Sequence, residues 1–399
     1  MSAAVADRRI AGWPGVALVG AAFTITMLGT TLPTPLYPIY AAEFGFGELV
    51  TTVVFAVYAA GVIAGLLLFG HWSDQIGRRP MLLAGLVLSG LSAIVFLLPG
   101  AIAWLYVGRV LSGLSAGILT GTATATIVDL APPQGRTRAG LVAAAVNMGG
   151  LGLGPLLAGV LAEWAPSPTR LCFLVDLALV VVGLGLVMVV RDPVSRVDSP
   201  RLAPRPLHVP AEMRAVFTRA AIAGFAGFAV LGLFTSVSPA FLGTVLHHSN
   251  RALVGVVVLC AFAASVAGQV LSARLALDRA LRGGCVTLIV GMAIVASSLD
   301  AHSLALLVVG AVIAGVGHGM SFRAGLGSVA GAAPDDERGE VTSTFFVVLY
   351  VGISIPVIGV GSMASAFDLV TAGVVFAALV ALLAATALVL LIRADRARS

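Results

Sequence analysis

Gly70-His71-Trp72-Ser73-Asp74-Gln75-Ile76-Gly77-Arg78-Arg79 is a short polar island between two apolar runs, 48–70 and 80–100. Each run is long enough to cross a bilayer as a helix, which takes about 20 apolar residues. The island is short enough to be only the turn between them. Outward from it, the same alternation fills the 399-residue chain. Hydrophobic residues make up 59% and charged residues 10%, against about 25% charged in soluble domains. A soluble globule of this composition has too little polar surface to cover itself, so a soluble enzyme and a disordered chain are both excluded. The runs suit helices better than the short alternating strands of a barrel.

The runs place spans at 14–39, 48–70, 80–100, 102–129, 139–162 and 168–190, then at 217–241, 252–273, 283–299, 302–327, 340–362 and 367–391. There is no Lys, and the Arg are unevenly shared. One set of loops carries Arg8, Arg9, Arg78, Arg79, Arg136, Arg138, Arg191, Arg196, Arg201, Arg205, Arg214, Arg219, Arg274, Arg279, Arg282, Arg338, Arg393, Arg396 and Arg398. The other set carries Arg170 and Arg251. The positive-inside rule makes the first set cytoplasmic, with both termini inside and an even number of spans. A net charge of +5 distributed this way reports topology, not a nucleic-acid surface. Cys172, Cys260 and Cys285 sit in apolar stretches without metal or pairing spacing. The first apolar run exceeds a signal h-region of about 7–15 residues.

The longest polar stretch, Arg191–Arg219, contains Pro193, Pro200, Pro204, Pro206 and Pro210, which disfavour a continuous helix. It divides the chain into a six-span half at 1–190, a cytoplasmic linker at 191–216 and a six-span half at 217–399. Gly113 and Gly117 in span 4 have the spacing of Gly315 and Gly319 in span 10. Arg138 and Pro155 around span 5 match Arg338 and Pro356 around span 11. A near-constant offset suggests a duplicated half, as in carriers built from parallel repeats. Gly/Ala-rich sequence can also match itself through composition.

These features together resemble the major facilitator superfamily. The island at Gly70–Arg79 resembles its motif A, G-x-L-[AS]-D-R-x-G-R-[RK], with Trp72 for the usual Leu and Gln75 for the first Arg. Arg109 with Gly113 and Gly117 is similar to the family's span 4 motif. Gly150-Leu151-Gly152-Leu153-Gly154-Pro155-Leu156-Leu157-Ala158-Gly159 resembles motif C, G-x-x-x-G-P-x-x-G-G, with Ala158 replacing one Gly. The resemblance implies an all-α integral membrane fold of twelve helices in two pseudo-symmetric halves. It further implies a conformational latch of Gly70, Asp74, Gly77, Arg78, Arg79 and Asp129, joining the halves when the carrier faces outward. Motif C implies a proton-coupled antiporter of the twelve-span drug-export group, with Gly150, Gly154, Pro155 and Gly159 on its helix. The plainer readings are that Arg78 and Arg79 only fix topology, and that the glycines only pack helices.

Four ionisable groups fall inside spans: Arg109, Asp176, His318 and Arg323. A charge at mid-bilayer costs at least about 2.5–3.5 kcal/mol on insertion scales, so each is a functional candidate. Arg109, Asp176 and His318 are the proton-coupling set, Arg109 by resemblance. Asp176 pairs with Arg109, exchanges a proton, or only braces a neighbouring helix. His318 titrates near neutrality or is a satisfied buried histidine. Arg323 snorkels or binds an anionic group. Span 1 carries no acid, against a strict organic-cation exporter, but its Pro33, Pro35 and Pro38 break the helix and free carbonyls. Cavity candidates are Tyr37, Phe234, Arg323 and Tyr350, with Phe23, Tyr58 and Phe346 beside them, although lipid-facing or helix-packing roles suit the aromatics equally well.

No Walker A, H-E-x-x-H, C-x-x-C or triad order appears, so neither ATP drive nor enzymatic activity is indicated, and no cofactor or metal is expected. The reading is a multi-pass plasma-membrane (inner-membrane) carrier, a monomer, exchanging protons for a small hydrophobic or amphipathic compound by alternating access. Its partners are that compound, protons and the lipid bilayer. The alternative is a proton-coupled metabolite importer of the same superfamily, since motif A serves both and Ala158 alters the motif that separates them. A sensor or scaffold would not need a charged inner-face latch.

Overall fold

The computed structural model describes residues 9–98, 100–194, 196–197, 204 and 206–396. Arg8, Arg201, Arg205, Arg398 and Pro200, and with them part of the linker expected at 191–216, lie outside the described residues. Among those described, twelve helices are long and apolar enough to cross a membrane. They are span 1 (Gly12–Phe44), span 2 (Glu48–Phe69), span 3 (Arg78–Phe96), span 4 (Ile102–Leu130), span 5 (Pro133–Trp164) and span 6 (Pro168–Met188). The second six are span 7 (Ala211–Ser236), span 8 (Arg251–Ser272), span 9 (Leu277–Asp300), span 10 (Leu304–Ala332), span 11 (Arg338–Ala366) and span 12 (Leu369–Arg396). Only helices that satisfy their own backbone can stand in hydrocarbon without a closed sheet.

Two boundaries differ from the sequence reading. Span 7 ends at Ser236, not 241, because Pro239 has no N–H to offer the carbonyl one turn back; a π-helical turn, Phe241–Val245, follows. Span 9 begins at Leu277, not 283. Its arginines ride on the first helical turns instead of the loop, and Arg282 pairs with Asp395 of span 12 at 3.0 Å. Asp368 caps span 12 by accepting from Thr371 Oγ1 (2.6 Å) and Thr371 N (2.8 Å). These bonds hold its exposed carboxyl below the usual range.

The two sets of six repeat one packing plan. Span 1 packs on spans 4, 5 and 6 as span 7 packs on spans 10, 11 and 12; span 2 packs on span 4 as span 8 packs on span 10. The matched glycines make the same contact in each set. A Cβ at Gly113 or Gly117 would run into the span 2 backbone around Gly61 and Gly65, and one at Gly315 or Gly319 into span 8 around Ala261 and Ser265. Without a hydrophobic drive between helices in lipid, such close backbone approach is what gives them attraction.

The sets meet along two seams. Span 5 lies on span 8, where a Cβ at Gly159 would come 2.5 Å from Arg251 O and one at Gly152 would come 3.0 Å from Phe262 Cβ. Span 2 lies on span 11, where Gly361 abuts Thr52 and the Glu48 carbonyl. Both seams sit toward the end opposite Arg78 and Asp129. Glu163 of span 5 adds a hydrogen bond there, accepting from Arg251 N at 2.8 Å at the start of span 8.

Pro155 lies inside span 5 and cannot donate to the Leu151 carbonyl. Thr31 of span 1 takes over: its Oγ1 donates to Leu151 O at 2.8 Å. An unsatisfied carbonyl in hydrocarbon costs on the order of 1–3 kcal/mol. Thr31→Val is therefore expected to lower the thermal midpoint of the detergent-purified protein. Adding Pro155→Ala, which restores the helix's own donor, should recover most of the loss. If the double variant melts no higher than Thr31→Val alone, the carbonyl was not the cause.

Candidate functional site

Away from the seams, toward the arginine-rich end, the halves part around a cavity of about 760 Å³. Its walls come from spans 4 and 5 on one side and 8, 10 and 11 on the other. Thr120, Asn147, Phe322 and Phe346 also line a narrower pocket of about 30 Å³ that continues it inward. That deep pocket is rich in aromatic rings, with Phe55 and Tyr58 from span 2, Phe228 from span 7 and Tyr350 from span 11. The rings pack edge-on and tilted, Phe228 lying 5.5 Å from Phe322 and Phe322 lying 6.1 Å from Phe346 between centroids.

Arg323 and Tyr350, expected in the cavity, line its walls. Phe234 and Phe23 are in the packed core, 2% and 0% exposed, outside these linings. Tyr37 is also outside them. It follows the break in span 1, where the helix Gly12–Thr31 gives way to a turn at Thr34–Leu36 and a new helix from Tyr37. That break leaves the last carbonyls of the first helix without intrahelical donors. Arg109, fully buried on span 4, donates to one of them, Thr30 O, and to the Tyr37 hydroxyl. Its guanidinium also lies 5.5–5.7 Å from the ring centroids of Tyr37, Phe55 and Tyr58, a cation–π arrangement. Phe55 and Tyr58 belong to the deep pocket, so Arg109 stands directly behind its wall.

Asp176 does not form an ion pair with Arg109. It is 3% exposed on span 6 and abuts span 1 at Gly29, where a Cβ would lie 2.8 Å from its Oδ1. That oxygen has no hydrogen-bond partner among the described residues. His318 is fully buried on span 10. Its Nδ1 shares a hydrogen bond with Ser265 Oγ of span 8 at 2.8 Å, its Nε2 has no partner among the described residues, and its ring stacks on Phe322 at 5.9 Å. Both groups thus keep one open polar atom. Arg323 donates to Ser272 O at 3.0 Å and Ala273 O at 3.4 Å, the carbonyl end of span 8, where a cation also meets the negative end of the helix dipole.

The charged island forms a cluster within the first six spans. Arg78 pairs with Asp74 at 2.5 Å and with Asp129 of span 4 at 3.1 Å, and donates to Ser73 Oγ at 2.7 Å. Sequence reasoning missed Asp192. Its carboxylate accepts from Arg78 N at 3.1 Å and Arg79 N at 3.2 Å, so a residue just beyond span 6 caps span 3. Gly77 makes this possible twice over. It adopts a φ of +102°, and a Cβ there would lie 2.5 Å from Asp192 Oδ2. Arg79 completes the tie by donating to Met188 O at 2.6 Å. Gly70 sits where span 2 ends, one turn after Leu66, whose carbonyl accepts its N–H at 3.1 Å. Gly150 and Gly154 of span 5 face span 1, and Pro155 and Gly159 face span 8.

A family model described as the Major Facilitator Superfamily matches residues 19–356. The tetracycline resistance protein, class E, of Escherichia coli is 30% identical over 161 residues, 38% of this chain and 40% of that protein. Multidrug resistance protein 2 of Bacillus subtilis is 29% identical over 139 residues, covering 34% and 35%. The quinolone resistance protein NorA of Staphylococcus aureus is 27% identical over 140 residues, covering 35% and 36%. The aligned stretch thus spans well under half the length of these relatives. In three dimensions the chain resembles a bacterial homologue of the human lysosomal transporter Spinster in an inward-facing, occupied conformation (TM-score 0.75, 18% identity, 96% of both chains). It also resembles the human organic anion transporter MFSD10 (TM-score 0.66, 18% identity, 95% of this chain and 99% of that one). At such identities the likeness is one of fold.

Asp192→Ala removes the acceptor that caps span 3, a loss typically near 1 kcal/mol. Amides 78–82 are expected to exchange hydrogen faster, while Asp192→Asn, which can still cap, changes them little. Equal protection in all three proteins would show that the carboxylate does not hold this helix end.

Proposed function

The chain belongs to the Major Facilitator Superfamily, and from that premise we propose that it is a secondary active carrier that exports a small hydrophobic or amphipathic compound in exchange for protons. The observation that carries this reading is the cavity itself. It lies between two repeated sets of six spans, opens at the arginine-rich end and is closed at the other by the glycine seams of spans 5–8 and 2–11. The positive-inside rule puts the arginine-rich end, and both ends of the chain, in the cytoplasm. A cavity open on that side can load from inside the cell, as an exporter requires, and the same opening would serve an importer's release. The halves at 1–190 and 217–399 rock about their seams, with 191–216 as the connecting linker and a single chain as the working unit. The tetracycline, multidrug and quinolone resistance proteins among its relatives support the same direction.

Arg78, held between Asp74 and Asp129 with Arg79 and Asp192 beside it, gives the first half a rigid charged edge that can meet the second when the inner mouth closes. Proton coupling is assigned to Asp176 first and His318 second. Each is buried with one open polar atom, and Arg109 carries changes around span 1 to the wall of the deep pocket.

In everted membrane vesicles, adding a transported compound from a panel of tetracyclines, quinolones and aromatic dyes should dissipate a preformed pH gradient. Accumulation in right-side-out vesicles driven by an acidic exterior would instead establish import. Asp176→Asn is expected to abolish proton-driven accumulation while sparing passive counterflow, with a smaller effect from His318→Gln. Uphill transport by Asp176→Asn with an unaltered pH profile would transfer the role to His318.

A further inference from the structure

The cavity's charges are few and unequal. Among its described lining residues, Asp129 is the one carboxylate and Arg323 the one guanidinium. Asp129 is held at 3.1 Å by Arg78, which it shares with Asp74, so this carboxylate belongs to the charged island at the cavity's edge. Among the described residues Arg323 has only neutral partners, the carbonyls of Ser272 and Ala273. They orient the side chain without cancelling its charge, and a guanidinium carries five N–H donors in a planar fork.

A second observation lies on the same wall. Gln269 of span 8 also lines the cavity and is 3% exposed, and its amide Nε2 has no acceptor among the described residues. It precedes Ser272 and Ala273 by three and four residues, which puts it on the helix face that anchors Arg323. Half a turn about its Cγ–Cδ bond exchanges the positions of the amide oxygen and the N–H2. A cation and an unfilled amide donor on the wall of one cavity, whose one described carboxylate is already held by Arg78, are an acceptor-seeking pair. The apolar part of the requirement is adjacent. Phe322 precedes Arg323 on span 10, and with Phe346 it lines the same cavity of about 760 Å³.

We infer that the cargo of this carrier is a flat aromatic carboxylate, its ring in the wide cavity against Phe322 and Phe346 and its carboxylate bridging Arg323 and Gln269. The inference rests on the cavity being the cargo site of the proposed exporter, and it names the class of compound that cavity takes. An aromatic ammonium of the same size meets a guanidinium where the carboxylate finds a partner, so it binds more weakly. A neutral analogue keeps the ring contacts and leaves both donors without a new partner.

The test is equilibrium binding to the full-length protein in lipid nanodiscs, with three probes that share one ring system: 1-naphthoate, 1-naphthalenemethanol and 1-naphthylmethylammonium. Charge-assisted hydrogen bonds of this kind change affinity by about tenfold or more. The wild type should therefore bind the carboxylate about tenfold more tightly than the alcohol, and the ammonium more weakly still. Arg323→Gln should bring the carboxylate down to the alcohol's affinity while leaving the alcohol unchanged, and Arg323→Lys should restore part of the difference. Gln269→Leu should lower carboxylate affinity alone. The alcohol serves as the internal check that each variant is folded. Equal affinity for carboxylate and ammonium in the wild type overturns the inference. So does an anion preference that survives Arg323→Gln, or a failure of all three probes to saturate. Because binding needs neither a gradient nor a direction, failure here is separable from failure of proton exchange. A protein that selects naphthoate but releases no protons from everted vesicles refutes the exchange mechanism and leaves this inference standing.

Discussion

A backbone carbonyl that loses its intrahelical donor has no water to turn to inside a bilayer, and the organisation of this molecule follows from where those carbonyls are. Pro155 frees the carbonyl of Leu151, and Thr31 fills it. The break after Thr31 frees that of Thr30, and Arg109 fills it. Span 8 ends at Ser272, and Arg323 takes the carbonyls there. Span 6 ends at Met188, and Arg79 takes that one. In each case the interruption of one helix fixes a polar side chain of another. Three of these four side chains are arginines, and Arg109, fully buried on span 4, could not lie in hydrocarbon without such an acceptor. Buried charges and irregular helices are therefore two aspects of one arrangement.

The fold was legible because composition forces it: twelve apolar runs with polar punctuation have few alternatives, and Arg placement orders them. The island was legible because Asp74 and Arg78 are four residues apart and share a local turn. Asp192 was not, since its ligands are main-chain N–H groups more than a hundred residues away, and nothing in a linker aspartate announces that. Arg109 and Arg323 could be singled out as costly, but their partners are carbonyls, which residue identity does not encode. Of the three roles open to Asp176, pairing with Arg109 is not taken up, for the same reason: span 1 offers the arginine a carbonyl and a tyrosine hydroxyl, and offers the acid only the gap left by Gly29. Asn147 and Gln269 were readable in principle. An amide inside an apolar run is as conspicuous as a charge, though cheaper to bury.

Duplication is visible in packing and absent from chemistry. Gly113 and Gly117 do for spans 2 and 4 what Gly315 and Gly319 do for spans 8 and 10. Yet the first half places its ionisable groups, Arg109 and Asp176, against span 1, whereas the second bonds His318 and Arg323 to span 8, His318 also packing on span 7 at Gly227. The scaffold repeats because close helix approach demands small residues at fixed spacing. The polar sites diverge because each sits where its own half interrupts a helix.

Span 5 presents glycine on two faces, Gly150 and Gly154 toward span 1 and Gly152 and Gly159 toward span 8. The first contact lies within one half and persists in any rigid-body motion of that half. The second joins the halves and exists only while that seam is shut. Bulk added to the two faces therefore registers in different observables. A side chain at Gly154 raises the energy of every folded conformer and appears as lost folding stability. One at Gly159 raises only the conformer in which spans 5 and 8 touch, and appears as a shift in the distribution of distances between labels placed across that seam, with the fold retained. A single helix thus separates the residues that set how stable the carrier is from those that set which way it faces.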